Sequence, residues 1–243
     1  MKPTAATEQR IAQVGAALAQ ALGERVVCIA VYGSAASDEF SPAHSDVNLL
    51  LVLRDVSFAD LRLIGITLTR EAGKDLRFAS PLVLTPSFLL DARDSFPIEL
   101  DDIRERHRIL AGTDVLADLR VTAESLREQA EREARGKLLR LRALVIQRPP
   151  DEHLCQALAS LAAVLGIIER ALLHAHLGAR HRGQALFDAI EKHASIKLRA
   201  LPRLEAIREN LESWPAGADL DDLLAVALRE VEALVQFIDD QGH

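Results

Sequence analysis

Apolar residues recur along this chain with two periods, and the change from one to the other divides it. Residues 5–22 place Ile11, Val14, Leu18 and Leu22 at helical spacing, and Gly23 suits the exit of that helix. The run VVCIAVYG, 26–33, is β-branched, too short for a helix and closed by glycine, which predicts a buried strand. A loop rich in Ser, Asp and Pro follows at 34–45, and DVNLLLVL, 46–53, predicts a second buried strand. Residues 57–72 read as a helix with Phe58, Leu61, Ile64 and Leu68 on one face. LRFASPLVLT, 76–85, predicts a third strand in which Pro81 marks an edge or a bulge, with a helical turn after Pro86.

From 95 to 112 two patterns compete, a strand-like PIELDDI and a charged helix, DDIRERHRIL. Beyond Thr113 the period is helical throughout, over 122–147, 151–177, 183–195, 200–212 and 219–239. Pro149-Pro150 separates the first two of these, with Asp151 as the expected N-cap of the second, and Gly178, Pro202 and Trp214–Gly217 mark later breaks. The expected fold is α+β: a mixed sheet with flanking helices over residues 1–115, followed by an all-helical bundle domain over 116–243.

Composition narrows the function. The chain has 243 residues, 49 % hydrophobic and 27 % charged, an ordinary globular profile. Only 4 % are aromatic, so the core must be built from Leu, Ala, Val and Ile. A net charge of −7 argues against a general nucleic-acid partner, because phosphate neutralisation needs a concentrated basic surface. No apolar run reaches the ~18 residues of a membrane span and no signal-peptide core follows Met1, so a cytoplasmic protein without a membrane partner is expected. Cys28 and Cys155 lie far apart within apolar runs and read as free thiols. Homo-oligomerisation stays open.

The chemistry concentrates where the first strand ends in Gly33-Ser34 and the second opens with Asp46-Val47-Asn48. Glycine lets the backbone turn sharply and approach a phosphate, and Ser34 and Ser45 can donate to phosphate oxygens. Alternate strand residues share a face, so side chains at 46 and 48 point the same way. Carboxylates at both positions, with a third on a neighbouring strand, would hold Mg²⁺ against a nucleotide triphosphate in a two-metal site.

The text VYGSAASDEFSPAHSDVNLLLVL resembles the polymerase-β-like nucleotidyltransferase superfamily, of the kanamycin nucleotidyltransferase and minimal nucleotidyltransferase type. Gly33, Ser34, Asp46, Val47 and Leu49 match its pattern of a Gly-Ser turn, a spacer and Asp-hydrophobic-Asp/Glu-hydrophobic, and the resemblance spans roughly residues 20–112. It implies an NTP ligand on Gly33, Ser34 and Ser45, a metal on Asp46, catalytic positions at Asp46 and Asn48, and a small-molecule or protein hydroxyl as acceptor.

The sequence departs from that pattern where the metal would bind. Asn48 stands at the second carboxylate position and brings no charge. The expected third strand, LRFASPLVLT, has no acid after Asp75, and Glu99, Asp101 or Asp102 could substitute only if PIELDDI were the strand carrying it. Mg²⁺ is therefore expected to bind weakly or not at all, in a nucleotide-sized pocket that is catalytically weak or inactive. An active Mg²⁺-dependent transferase is the alternative, and a non-catalytic module acting through the helical domain is a third. Arg170 with His176, and His174, His176 and His181 together, are read as neither ribonuclease nor metal motif. The basic run Arg132, Arg135, Lys137, Arg140 and Arg142, interleaved with acids, is read as a salt-bridged face.

Overall fold

A computed structural model describes residues 3–37, 40, 46–73, 76–178, 181, 183–208 and 210–240, excepting the side chains at 163, 164, 167, 169, 171, 176 and 177. The chain forms two compact units, Met1–Val121 and Thr122–His243.

The first unit is built on a four-stranded mixed sheet. Its strands are β1 (Val26–Tyr32), β2 (Asn48–Leu53), β3 (Leu82–Leu84) and β4 (His107–Gly112), in the order β3-β2-β1-β4. β1 runs antiparallel to both β2 and β4, and β2 runs parallel to β3. The expected neighbours are therefore neighbours, and the sheet is mixed. β1 and β2 read as unbroken apolar runs because both of their faces are covered. On one face, α1 (Ala5–Leu22) and α2 (Phe58–Glu71) pack Ile11, Val14, Leu18 and Ile64 over Ile29, Val31, Leu49 and Leu51. On the other, α3 (Pro86–Asp91) and α4 (Pro97–Glu105) bring Leu89, Leu100 and Ile103 over Cys28, Ala30, Leu50 and Val52.

Three details differ from the periodicity reading. PIELDDI is helical, within α4, and the third long-range partner of the sheet is β4, which begins at His107. The helix period of DDIRERHRIL runs through that strand because β4 is an edge with alternating partial exposure and no unbroken apolar run. α2 turns a different face inward: Asp60, Ile64 and Thr67 are buried, whereas Phe58 and Leu61 are exposed. Asp60 goes inward because it is fully engaged. It accepts from the Ser57 amide at 3.0 Å and the Ser57 hydroxyl at 2.7 Å in a capping box, and it pairs with Arg25. These bonds, the Ser57 hydroxyl foremost, hold its carboxyl below the ordinary 3.8 against the opposing effect of burial. Pro81 lies just before β3, at the sheet edge. Between the bridge Val47↔Phe78 and the pair Leu50↔Leu82 the register slips by one residue, the bulge that the proline requires.

The second unit is helical among its described residues: α5 (Ala123–Gln147), α6 (Asp151–Leu177), α7 (Gln184–Ala194), α8 (Ala200–Arg208) and α9 (Ala218–Asp240). Its core is a leucine-rich seam that includes Leu126, Leu141, Leu158, Leu165, Val231 and Leu234. The charged face of α5 is paired as expected, Lys137 with Glu133 at 3.5 Å and Arg142 with Glu232 of α9 at 2.9 Å. Asp151 is not the N-cap of α6, a position held by Pro150. Its carboxylate instead takes Arg148 at 2.9 Å and the Gly217 amide at 2.9 Å. Within this unit Glu230 is almost fully buried, and its carboxylate accepts from the amides of Arg199, Ala200 and Leu201 at the start of α8.

Candidate functional site

The turn after β1 is built by two constraints. Gly33 takes φ 75°, the left-handed region that glycine enters without penalty, and its N–H donates to the Arg106 carbonyl at 2.8 Å. That bond ties the turn to the junction of α4 and β4. Gly33–Ala36 then coils as a single 3-10 turn in which the Ser34 carbonyl accepts from the Ser37 amide at 3.1 Å. Ser34 is half-buried.

Across the ladder from the last residue of β1 stands the first residue of β2: Tyr32 pairs with Asn48, and Tyr32 pairs with His107 on its other side. Paired residues share a face, so Asn48 belongs to the face of Tyr32, Ala30 and Cys28, and Val47 points into the α1–α2 core. The half-buried Asn48 reaches the turn. Its Nδ2 lies 3.4 Å from where a Cβ on Gly33 would be.

Asp46, one residue beyond the Val47 bridge, is half exposed. The Val47 N–H donates to the Arg77 carbonyl at 2.8 Å, and this fixes Arg77 beside Asp46. Their side chains form an ion pair, Nε to Oδ1, at 3.0 Å. The segment leading to β3 thus presents a guanidinium to Asp46. Ser45 lies outside the described residues, as do 38–39 and 41–44.

Two of the three candidate substitute acids are held by arginines. Asp101 is buried and pairs with Arg104 on α4, and Asp102 is gripped through both oxygens by Arg106. Glu99 is exposed on the same helix. Burial and then the charge of Asp102 push the Tyr32 hydroxyl above its ordinary value. His107 is held by structure at both nitrogens, Nδ1 to the Arg104 carbonyl at 2.8 Å and Nε2 to Asp114 at 3.2 Å. Burial opposes ionisation of Asp114. The Leu116 amide, His107 and the Ala117 amide outweigh it and hold the carboxyl below its usual range.

A two-metal site does not fit this donor set. Asp46 already faces a cation, Asn48 is a neutral amide, and among the described residues no three His, Cys, Asp or Glu side chains gather where they could hold a metal ion. What the turn does offer is a glycine that lets the backbone come close, with the Ser34 hydroxyl and the Asn48 amide as donors that suit an anion. Sequence reasoning missed Arg77, because its place beside Asp46 depends on the one-residue slip before Pro81. Among the described residues the second unit adds no metal-ligating cluster; the side chain of His176 lies outside them, and Arg170 and His174 lie on α6.

No family model matches the sequence, and no curated protein matches it. Among solved structures, the chain is similar in fold to the spectinomycin adenyltransferase AAD(9) of Enterococcus faecialis, crystallised with ATP and spectinomycin. The TM-score is 0.63 at 10 % identity, over 96 % of this chain and 99 % of that one. The chain shares the fold of that adenyltransferase, with an α+β sheet unit followed by a helical unit. Among the described residues no helix is long and apolar enough to cross a membrane.

Proposed function

We propose that the first unit binds a nucleotide at Gly33, Ser34, Asp46 and Asn48 and transfers its nucleoside monophosphate weakly or not at all. One observation carries this reading. Asp46 is paired with Arg77, and Asn48 occupies the position of the second acid, so the turn keeps the shape of a phosphate site without the charge that a divalent ion requires. The nucleotidyltransferase fold supports the ligand class. Two unpaired thiols, Cys28 and Cys155, suit a cytoplasmic setting.

A second reading has its own support. The likeness in fold runs through the helical unit as well as the sheet, and the neighbour was crystallised with both ATP and spectinomycin. On that reading the acceptor is a hydroxyl of an aminoglycoside-like small molecule, and Asp46 with one of Glu99, Asp101 or Asp102 holds Mg²⁺, Asn48 serving as a neutral ligand.

The two separate in one assay. Purified protein is incubated with radiolabelled NTPs, Mg²⁺ or Mn²⁺, and a panel of hydroxyl acceptors that includes aminoglycosides and proteins. Little or no labelled product in Mg²⁺, with at most a trace in Mn²⁺, is expected. Turnover at an ordinary enzymatic rate that Asp46→Ala abolishes would overturn the weak-transferase reading in favour of the active enzyme.

A further inference from the structure

We infer that Arg77 does here what a divalent ion does in a three-carboxylate site, so that the polyphosphate of a nucleotide binds the Gly33–Ser34 turn without a metal. This rests on the nucleotide-site reading above and deepens it. Three carboxylates at the end of a sheet repel a triphosphate, and only bound cations reconcile the two. Among the described residues that repulsion is offset by arginines. Asp46, two residues before Asn48, is paired with Arg77 at 3.0 Å, and Asp102, whose charge reaches Tyr32 just before the turn, is paired with Arg106. The amide of Asn48, beside Gly33, can donate to a phosphate oxygen, which a carboxylate at the same place could not.

The Arg77–Asp46 pair is suited to exchange. Both side chains are at least half exposed, 63 % and 50 %, and an exposed pair of this kind contributes little to stability. Its backbone is not free to drift, because the Val47 amide holds the Arg77 carbonyl and the Ala79 amide holds the Val47 carbonyl at 3.0 Å. A guanidinium so anchored can turn its planar fork from one carboxylate to a phosphate, which it can grip by two parallel hydrogen bonds. Asp46 then acts as a competitor for Arg77 rather than as a metal ligand.

The test is a titration of the full chain with ATP, followed by calorimetry, in excess EDTA and again in millimolar Mg²⁺. The variants are Arg77→Ala, Arg77→Lys and Asp46→Asn. The expected result is an affinity that differs by less than about twofold between EDTA and Mg²⁺ and falls steeply with salt. Arg77→Ala should weaken binding in EDTA by about tenfold or more, and Arg77→Lys, which keeps the charge without the fork, by less. Asp46→Asn should tighten it. Since the Arg77 side chain is mostly exposed, circular dichroism should show these variants folded. ATP binding that requires Mg²⁺, or binding in EDTA that is indifferent to Arg77→Ala, would overturn the metal-free reading while leaving a nucleotide site. No ATP binding under either condition would overturn the nucleotide site itself.

Discussion

Asn48 stands opposite Tyr32 in the β1–β2 ladder and carries its amide nitrogen to within 3.4 Å of the point where a side chain on Gly33 would begin. The residue that departs from the nucleotidyltransferase pattern thus lies beside the turn proposed to take phosphate. The turn and the neutral position beside it form one device.

That relationship predicts what restoring the charge would do. Asn48→Asp should raise Mn²⁺ affinity by about tenfold, on the order of 1.4 kcal/mol, because a second hard oxygen joins Asp46 on one face. It should not restore full transfer by itself, since Arg77 still opposes a cation there. Asn48→Asp combined with Arg77→Glu should bind Mn²⁺ more tightly than either single variant in calorimetric titration. Equal affinity in the double variant and the parent would show that residues 46, 48 and 77 do not converge on one ion.

Gly33 is needed for its backbone. At φ 75° an L-residue is strained, and Gly33→Ala should cost about 1–2 kcal/mol of stability. The added methyl also presses toward the Asn48 amide, so ATP affinity should fall as well. Urea denaturation and ATP titration on the same sample measure both. An unchanged denaturation midpoint would show that the turn accepts a side chain.

Two other glycines should respond in opposite directions. Gly112 sits at φ 81°, and a Cβ there would lie 2.2 Å from the Val27 carbonyl oxygen, in the β1–β4 pairing. Gly112→Ala should therefore destabilise the first unit by about 3–5 kcal/mol, combining a forbidden contact with backbone strain. Gly136 is exposed within α5, and a methyl group added there would meet nothing within 4 Å. Gly136→Ala should stabilise by about 0.5–1 kcal/mol, because alanine loses less backbone freedom in a helix. Thermal denaturation of the two variants, read side by side, checks the contrast.

Asp60 links stability to pH. Its folded-state value is lowered, first by the Ser57 hydroxyl and amide and then by Arg25. A depressed carboxylate contributes stability that is present above its unfolded value, ordinarily 3.8, and lost as pH falls through the lower folded value. Asp60→Asn should therefore be less stable than the parent at pH 7, and the gap should close below about pH 3.8. A gap of constant size from pH 7 to pH 3 would mean that Asp60 acts by shape and not by charge.

The sheet was legible where physics writes it plainly. β1 and β2 are buried on both faces, so their apolar runs admit no other element, and Gly33 and Asp46 at their ends could be singled out from them. β4 was hidden because an edge strand keeps polar residues, and His107 and Arg108 let the helical phase of α4 run on. The face of α2 was misjudged for a related reason. Periodicity ranks residues by apolarity, and nothing local announces that a distant Arg25 will draw Asp60 inward past Phe58. Arg77 was invisible at the site because its neighbour is chosen by a bulge, a property of pairing and not of either segment alone.

Glu230 sets an order in time. Positions 196–199 are Ile, Lys, Leu and Arg, so α8 brings no capping side chain of its own, and the carboxylate that quiets its first amides lies 29–31 residues further along the chain. On a growing polypeptide α8 is made before its cap exists. The first turn of that helix therefore gains its carboxylate acceptor only when α9 has been synthesised and has docked.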